Sequence, residues 1–147
     1  MITENINVIG QIHAVLTGED GQIKEEKLVP NMVMTVGKNM IASRLVGTAT
    51  NVISYMAVGS GGATAPAVGQ TTLVTESARV AISGGTASNN VVTYTATFGP
   101  GVGTGSINEC GLFNASTAGT MLARSNSVVV TKGATDTLAL TWTVTIN

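Results

Sequence analysis

Apolar and polar residues alternate along several parts of the chain, and this period of two predicts half-buried β-strands. The pattern is clearest near the C-terminus, in Leu138, Leu140, Trp142, Val144 and Ile146, which alternate mainly with threonines. The even-numbered positions from residue 6 to residue 16 are also apolar, apart from a glycine. We therefore predict a strand in each region, with one face in the core and the other in solvent.

Turn signals connect the predicted strands into hairpins. The Asp20–Gly21 pair separates two strand-like segments before Pro30, which predicts a charged N-terminal hairpin or arm over residues 1–30. Residues 76–83 and 88–101 are predicted to form a second hairpin, whose inward face carries Val92, Tyr94, Ala96 and Phe98. A third hairpin is predicted from residues 109–113 and 121–125, with Gly119 taking the positive φ of its turn.

One segment has the period of a helix instead. Val36, Met40, Ile41 and Leu45 fall on one helical face. Thr35 is expected to cap the start, and Gly47 is expected to end the helix in a left-handed conformation. We therefore predict a single short helix at about residues 36–46.

The remaining pattern completes the fold class. Residues 51–59 are apolar on both faces, which predicts a strand covered on two sides, and the glycine-rich segment after it is predicted to be a loop. Roughly eight strands with one helix predict an all-β protein, an antiparallel β-sandwich with a jelly-roll-like arrangement. Residues 31–147 would form this sandwich domain, in one compact unit with the N-terminal arm.

Charge is scarce in this chain. Charged residues make up 10% of the sequence and the net charge is -1, which leaves little attraction for phosphate backbones or acidic lipid surfaces. There is no apolar run of the ~18 residues that a membrane span needs, and the N-terminus does not look like a signal peptide. We therefore expect no nucleic-acid partner, no membrane partner and a cytoplasm-like compartment.

The single cysteine is the first candidate for chemistry. Cys110 would need a base to form a thiolate, and the only histidine, His13, is predicted on the solvent face of a distant strand. One cysteine forms no internal disulfide and excludes the usual multi-cysteine zinc sites. We interpret Cys110 as a small buried apolar residue beside Leu112.

Two glutamates are the only other candidates for catalysis. Glu76 and Glu109 are the acids in the middle of the chain and could form an acid–base pair. However, Glu76 precedes Arg79 by three residues, and Glu109 is expected to face Arg124 across the third hairpin, so we interpret both as structural ion pairs. No cluster of metal ligands and no Gly-Lys-Ser/Thr phosphate loop occurs. The sequence predicts no enzyme, no catalytic residue, no metal site and no cofactor.

The order of several short motifs carries a family resemblance. The motifs are "AVGSG" at 57–61, "TTLVTESARV" at 71–80, "GLFN" at 111–114 and the closing threonine-rich strand. Residues 31–146 resemble structural proteins of tailed bacteriophages, including small head decoration (cement) proteins and the collar-proximal domains of tail fibres. One departure is Cys110, since the residue before "GLF" is commonly a small one such as alanine.

The resemblance implies a virion protein that is made in the host cytoplasm. Tail fibres continue into a shaft, whereas this chain stops at Asn147, so we expect a decoration protein on the outer head surface. It would be a homotrimer that bridges subunits of the major capsid protein. The alternative is a tail fibre or collar adaptor involved in host attachment. The candidate capsid or self-interface, by strand pairing, is Ile6, Val8, Ile12 and Leu16.

Overall fold

The computed structural model describes residues 1–48 and 50–147, which form one helix and twelve strands. In chain order the elements are β1 (Val8–Thr17), β2 (Ile23–Pro30), β3 (Met32–Val33), α1 (Thr35–Leu45), β4 (Tyr55–Gly59), β5 (Glu76–Ala81), β6 (Gly84–Ser88), β7 (Val91–Phe98), β8 (Gly105–Ile107), β9 (Glu109–Phe113), β10 (Met121–Ser125), β11 (Val130–Lys132) and β12 (Thr137–Ile146).

The strands form two five-stranded antiparallel sheets and one short pair. The first sheet has the order β2-β1-β12-β7-β6, the second has the order β3-β10-β9-β4-β5, and β8 pairs with β11. The predicted fold class, an antiparallel all-β sandwich with one short helix, is confirmed. The prediction of roughly eight strands was too low, because four strands in the described part of the chain have only two to five residues and little apolar pattern.

The main core lies between the two sheets. Leu138, Leu140 and Trp142 of β12 are at most 1% exposed, as their alternation predicted. They pack in one cluster with Met56 of β4 and Leu112 of β9 from the opposite sheet. Each such side chain contributes about 1.5–3 kcal/mol through its removal from water, so the contacts of β12 with β4 and β9 hold the two sheets together.

The second sheet is covered on its other face as well. A smaller buried cluster of Met34, Ala57, Leu73, Phe113 and Met121 lies under α1 and the loop that connects β4 to β5. This explains why residues 55–59 are apolar on both faces. The outer face of the first sheet, in contrast, carries threonines, and the sandwich therefore has one dry and one wet outer side.

The second predicted hairpin was wrong in its first strand. β7 forms its hairpin with β6, whereas β5 lies in the other sheet and pairs with β4. The chain changes sheets between two neighbouring residues: the N–H of Ile82 donates to the carbonyl of Ser54, and the N–H of Ser83 donates to the carbonyl of Thr95. The strand pattern of residues 76–83 says nothing about which sheet the strand joins, and this is the physical reason for the error.

The helix occupies the predicted residues but differs in detail. Met34 stands at the N-cap position without a side-chain hydrogen bond, so the predicted Thr35 cap was wrong. Gly47 has φ 71, as expected for the left-handed end. Leu45 was predicted on the buried face, yet it is 84% exposed, and the buried residue of α1 is Gly37 near the start of the helix.

Candidate functional site

A buried ion pair lies at the base of the third hairpin. Glu109 is the first residue of β9, Arg124 belongs to β10, and both side chains are 0% exposed. The guanidinium of Arg124 donates to Oε2 of Glu109 from Nη2 at 2.8 Å and from Nε at 3.1 Å. The structure thus places these two predicted partners in direct contact, inside the protein and not in its shell.

The carboxylate of Glu109 also binds the backbone of the loop between β4 and β5. Oε1 accepts hydrogen bonds from the N–H groups of Gly61 at 2.9 Å and Thr75 at 2.7 Å. Oε2 accepts one from the N–H of Val74 at 3.0 Å. Both ends of the loop, residues 60–75, are therefore fastened to a single side chain, and we call this segment the latched loop.

Arg124 holds the middle of the same loop. Its Nη1 donates to the carbonyl of Thr64 at 3.0 Å and to Oε1 of Gln70 at 3.3 Å, and its Nη2 donates to the carbonyl of Gly61 at 3.2 Å. The loop also contacts the helix, because the carbonyl of Val68 accepts a hydrogen bond from the N–H of Thr35 at 2.8 Å. The latched loop is thus held along its length and not only at its ends.

The protonation of Glu109 follows from these contacts. Burial by itself raises the pKa of the carboxyl, but the hydrogen bonds from Thr75, Val74, Arg124 and Gly61 outweigh that effect and hold the pKa below its usual range. Glu109 is therefore ionised at neutral pH and has both oxygens engaged. It anchors the loop and has no proton to offer as a general acid.

The second predicted pair supports a neighbouring loop. Arg79 donates from Nη2 to Oε2 of Glu76 at 2.7 Å, and its guanidinium stacks on the ring of Phe113 at 3.7 Å. Nη1 of Arg79 donates to the carbonyls of Ala115 and Ala118, both at 2.9 Å. Arg79 thereby fixes the turn of the third hairpin, in which Gly119 has the predicted positive φ of 75.

The cysteine is buried, as predicted. Cys110 is 0% exposed and packs in the main core with Leu112. Burial raises the pKa of its thiol well above its ordinary value, so the group stays protonated. His13 lies on the outer face of β1, where its Nε2 is 2.7 Å from Oε1 of Glu26. Cys110 and His13 therefore do not contact each other, because the thiol lies in the core and the imidazole lies on the outer face of the sheet beside Glu26.

The predicted interface residues divide into two groups. Ile12 and Leu16 are 0% and 1% exposed and belong to the main core, so including them in an interface was wrong. Strand pairing with a partner has no free edge over Gln11–Thr17, where β2 and β12 lie on both sides of β1, whereas Val8–Gly10 pair with β12 alone. Ile6, at 73% exposed, and the half-buried Val8 remain accessible at the start of β1.

Residues 1–48 and 50–147 contain no group of three or more side chains suited to hold a metal ion. In the same ranges no helix has the length and apolar character to cross a membrane. The residues that sequence reasoning missed are the loop amides, since Gly61 lies 48 positions from Glu109 and no local pattern links them.

Residues 28–146 match the family described as phage tail-collar fibre protein, N-terminal. The chain belongs to this tail-collar fibre family. The match runs from the end of β2 through β12 and includes Glu109, Arg124 and the latched loop. No curated protein and no solved structure shows significant similarity to the chain.

Membership in the tail-collar fibre family makes the chain a structural protein of a tailed phage and a component of the virion. The family is one of structural proteins that are generally non-enzymatic. Between the two locations that the sequence left open, the family favours the tail over the head. The expected decoration role on the outer head surface has no support in this match.

Proposed function

We propose that the chain is an adaptor of the phage tail, which attaches a fibre to the collar-proximal part of the particle for host attachment. The single observation that carries this proposal is the family match over residues 28–146. The proposed role is mechanical: the protein transmits load between two larger assemblies and performs no reaction.

The latched loop supports this role as a contact surface. It carries no charged residue, and its Val68 is 52% exposed. A loop that the buried Glu109–Arg124 pair already orders loses little conformational entropy when a partner binds it. Because uncharged groups are covered without removing ions from water, a rigid neutral loop suits a permanent contact in a particle.

The position of the protein in the particle tests the proposal. Antibody-bound gold on purified particles should mark one vertex and its tail if the chain is a tail adaptor. Labelling over the whole head surface would overturn the proposal and return the capsid decoration role. Particles that lack the protein serve as the control for non-specific labelling.

A substitution in the latched loop tests the contact itself. Val68→Asp places a charge on the exposed side chain and leaves the backbone hydrogen bond to Thr35 in place, so we expect a folded protein that no longer enters particles. The control is Val102→Asp, at a site that is 37% exposed in another loop. Equal incorporation of the two variants would show that the latched loop is not the contact.

A further inference from the structure

An apolar groove lies between the start of β1 and the outer side of α1. Its volume is about 230 Å³, and it is lined by Ile6, Val8, Lys38, Ile41, Ala42 and Leu45. Leu45 is 84% exposed at one end of this helix groove, and Val46 beside it is 81% exposed. Water in contact with so many adjacent aliphatic groups is costly, and such a surface is typical of a binding site.

A single unpaired cation stands at the groove. Seven residues are Lys or Arg, and six of them donate hydrogen bonds to protein oxygens: Lys24, Lys27, Arg44, Arg79, Arg124 and Lys132. In the part of the chain that the structure describes, only Lys38 has neither a hydrogen bond nor an ion pair. The groove therefore matches a segment with aliphatic side chains and one carboxylate.

The first five residues of the chain have this chemistry. Residues 1–6 have no regular structure; Ile2 is 92% exposed and is not part of the groove, whereas Ile6, 73% exposed, lines the groove of its own copy. Between the two isoleucines lies Glu4, which makes no ion pair with any described residue. Asn7 exchanges backbone hydrogen bonds with Asn147, each of 2.7 Å, so the N-terminal segment starts from a fixed point and leaves Ile2 in solvent.

We propose that residues 1–5 of this N-terminal segment occupy the helix groove of a second copy of the chain. Ile2 would pack against Ile41 and Leu45 of the neighbouring copy, and Glu4 would pair with the neighbour's Lys38. Each copy donates one segment and receives one, so the exchange gives a closed ring when the rotation between neighbouring copies closes and an open filament when it does not. Since every copy is bound twice, weak single contacts produce a durable oligomer. This self-association goes beyond the proposed tail location and does not depend on it.

Charge reversal tests the proposed pair. Light scattering of the purified full chain should give a mass that is a multiple of 14.8 kDa. Glu4→Lys and Lys38→Glu should each raise the dissociation constant about tenfold, the effect of losing one close charge pair. The double variant should return it toward the original value. Glu19→Lys, an exposed acid in the turn between β1 and β2, is the control and should change nothing.

Cysteine cross-linking decides which copy provides the segment. Cys110 is buried and does not interfere. When a Glu4→Cys protein is mixed with a Lys38→Cys protein and oxidised, we expect a disulfide between the two chains. A monomer of 14.8 kDa at every concentration would overturn the proposal. So would failure of the mixed pair to link while a chain with both cysteines links only internally. These results leave the labelling of the tail unaffected, so the two proposals fail separately.

Discussion

Replacement of Glu109 by glutamine is the most informative perturbation of the fold. The carboxylate accepts five hydrogen bonds: three from loop amides and two from Arg124. An amide keeps only one oxygen, so its NH2 group must face either Gly61 and Thr75 or Val74 and Arg124. In both orientations at least two hydrogen bonds are lost, and the guanidinium of Arg124 remains buried without a counter-charge.

The expected cost follows from the burial of both partners. Removal of one partner of a buried ion pair typically costs about 3–5 kcal/mol, because the remaining charge is not compensated. Whole domains are stable by only about 5–15 kcal/mol, so Glu109→Gln should remove a large part of the free energy of unfolding. With a urea dependence of about 1–3 kcal/mol per molar, the unfolding midpoint should fall by about 2 M.

Urea unfolding is readily measured through the only tryptophan. Trp142 is 0% exposed and donates from Nε1 to Oδ1 of Asn31 at 2.9 Å, so its emission reports loss of the core. The matched control is Glu76→Gln, because that carboxylate is 34% exposed and Arg79 keeps its hydrogen bonds to the carbonyls of Ala115 and Ala118, so the loss should be smaller than for Glu109→Gln even though the pair is bidentate. If Glu109→Gln costs no more than the control, the role that we assign to the buried pair is wrong.

Three further predictions concern acid, the helix contact and the cysteine. Because the folded pKa of Glu109 lies below its unfolded value, its contribution to stability is complete above about pH 4.3 and is lost as the pH falls through the folded value. Urea midpoints measured toward acidic pH should therefore decline more steeply in the native protein than in Glu109→Gln, and equal slopes would contradict this. Gly37→Ala should cost about 1–3 kcal/mol, because its Cβ would lie 2.5 Å from the carbonyl oxygen of Leu122 in β10; calorimetry that finds no loss would refute the close contact. Cys110 should react with an aromatic disulfide reagent only after unfolding, and rapid reaction of the native protein would contradict its burial.

Local alternation predicted the strands that form the main core. β1, β7 and β12 each place apolar residues at every second position. Because side chains alternate between the two faces of a strand, this pattern determines which face is buried. β6 was missed because its sequence, Gly-Gly-Thr-Ala-Ser, has no apolar pattern. It becomes a strand by pairing with β7 across a two-residue turn in which Asn89 has φ 53, and this depends on a neighbour and not on its own composition.

The candidate site was predictable only in part. The spacing of the third hairpin brought Glu109 and Arg124 together, because cross-strand positions follow from local pairing. Their complete burial and their hold on the latched loop depend on contacts between residues that are 34–63 positions apart, and a local pattern carries no such information. The accessibility of Leu45 was missed for the same reason, since the helical period does not show which turn of the helix packs against the rest of the protein.

Separated heads and tails provide the most direct test of the central claim that this chain is a tail component. Purified particles can be broken into the two parts, and mass spectrometry can then quantify the chain relative to the major capsid protein and the tail proteins. The account predicts that the chain stays with the tails at a fixed ratio to the other tail proteins. Its recovery with the heads, in proportion to the major capsid protein, would contradict the account.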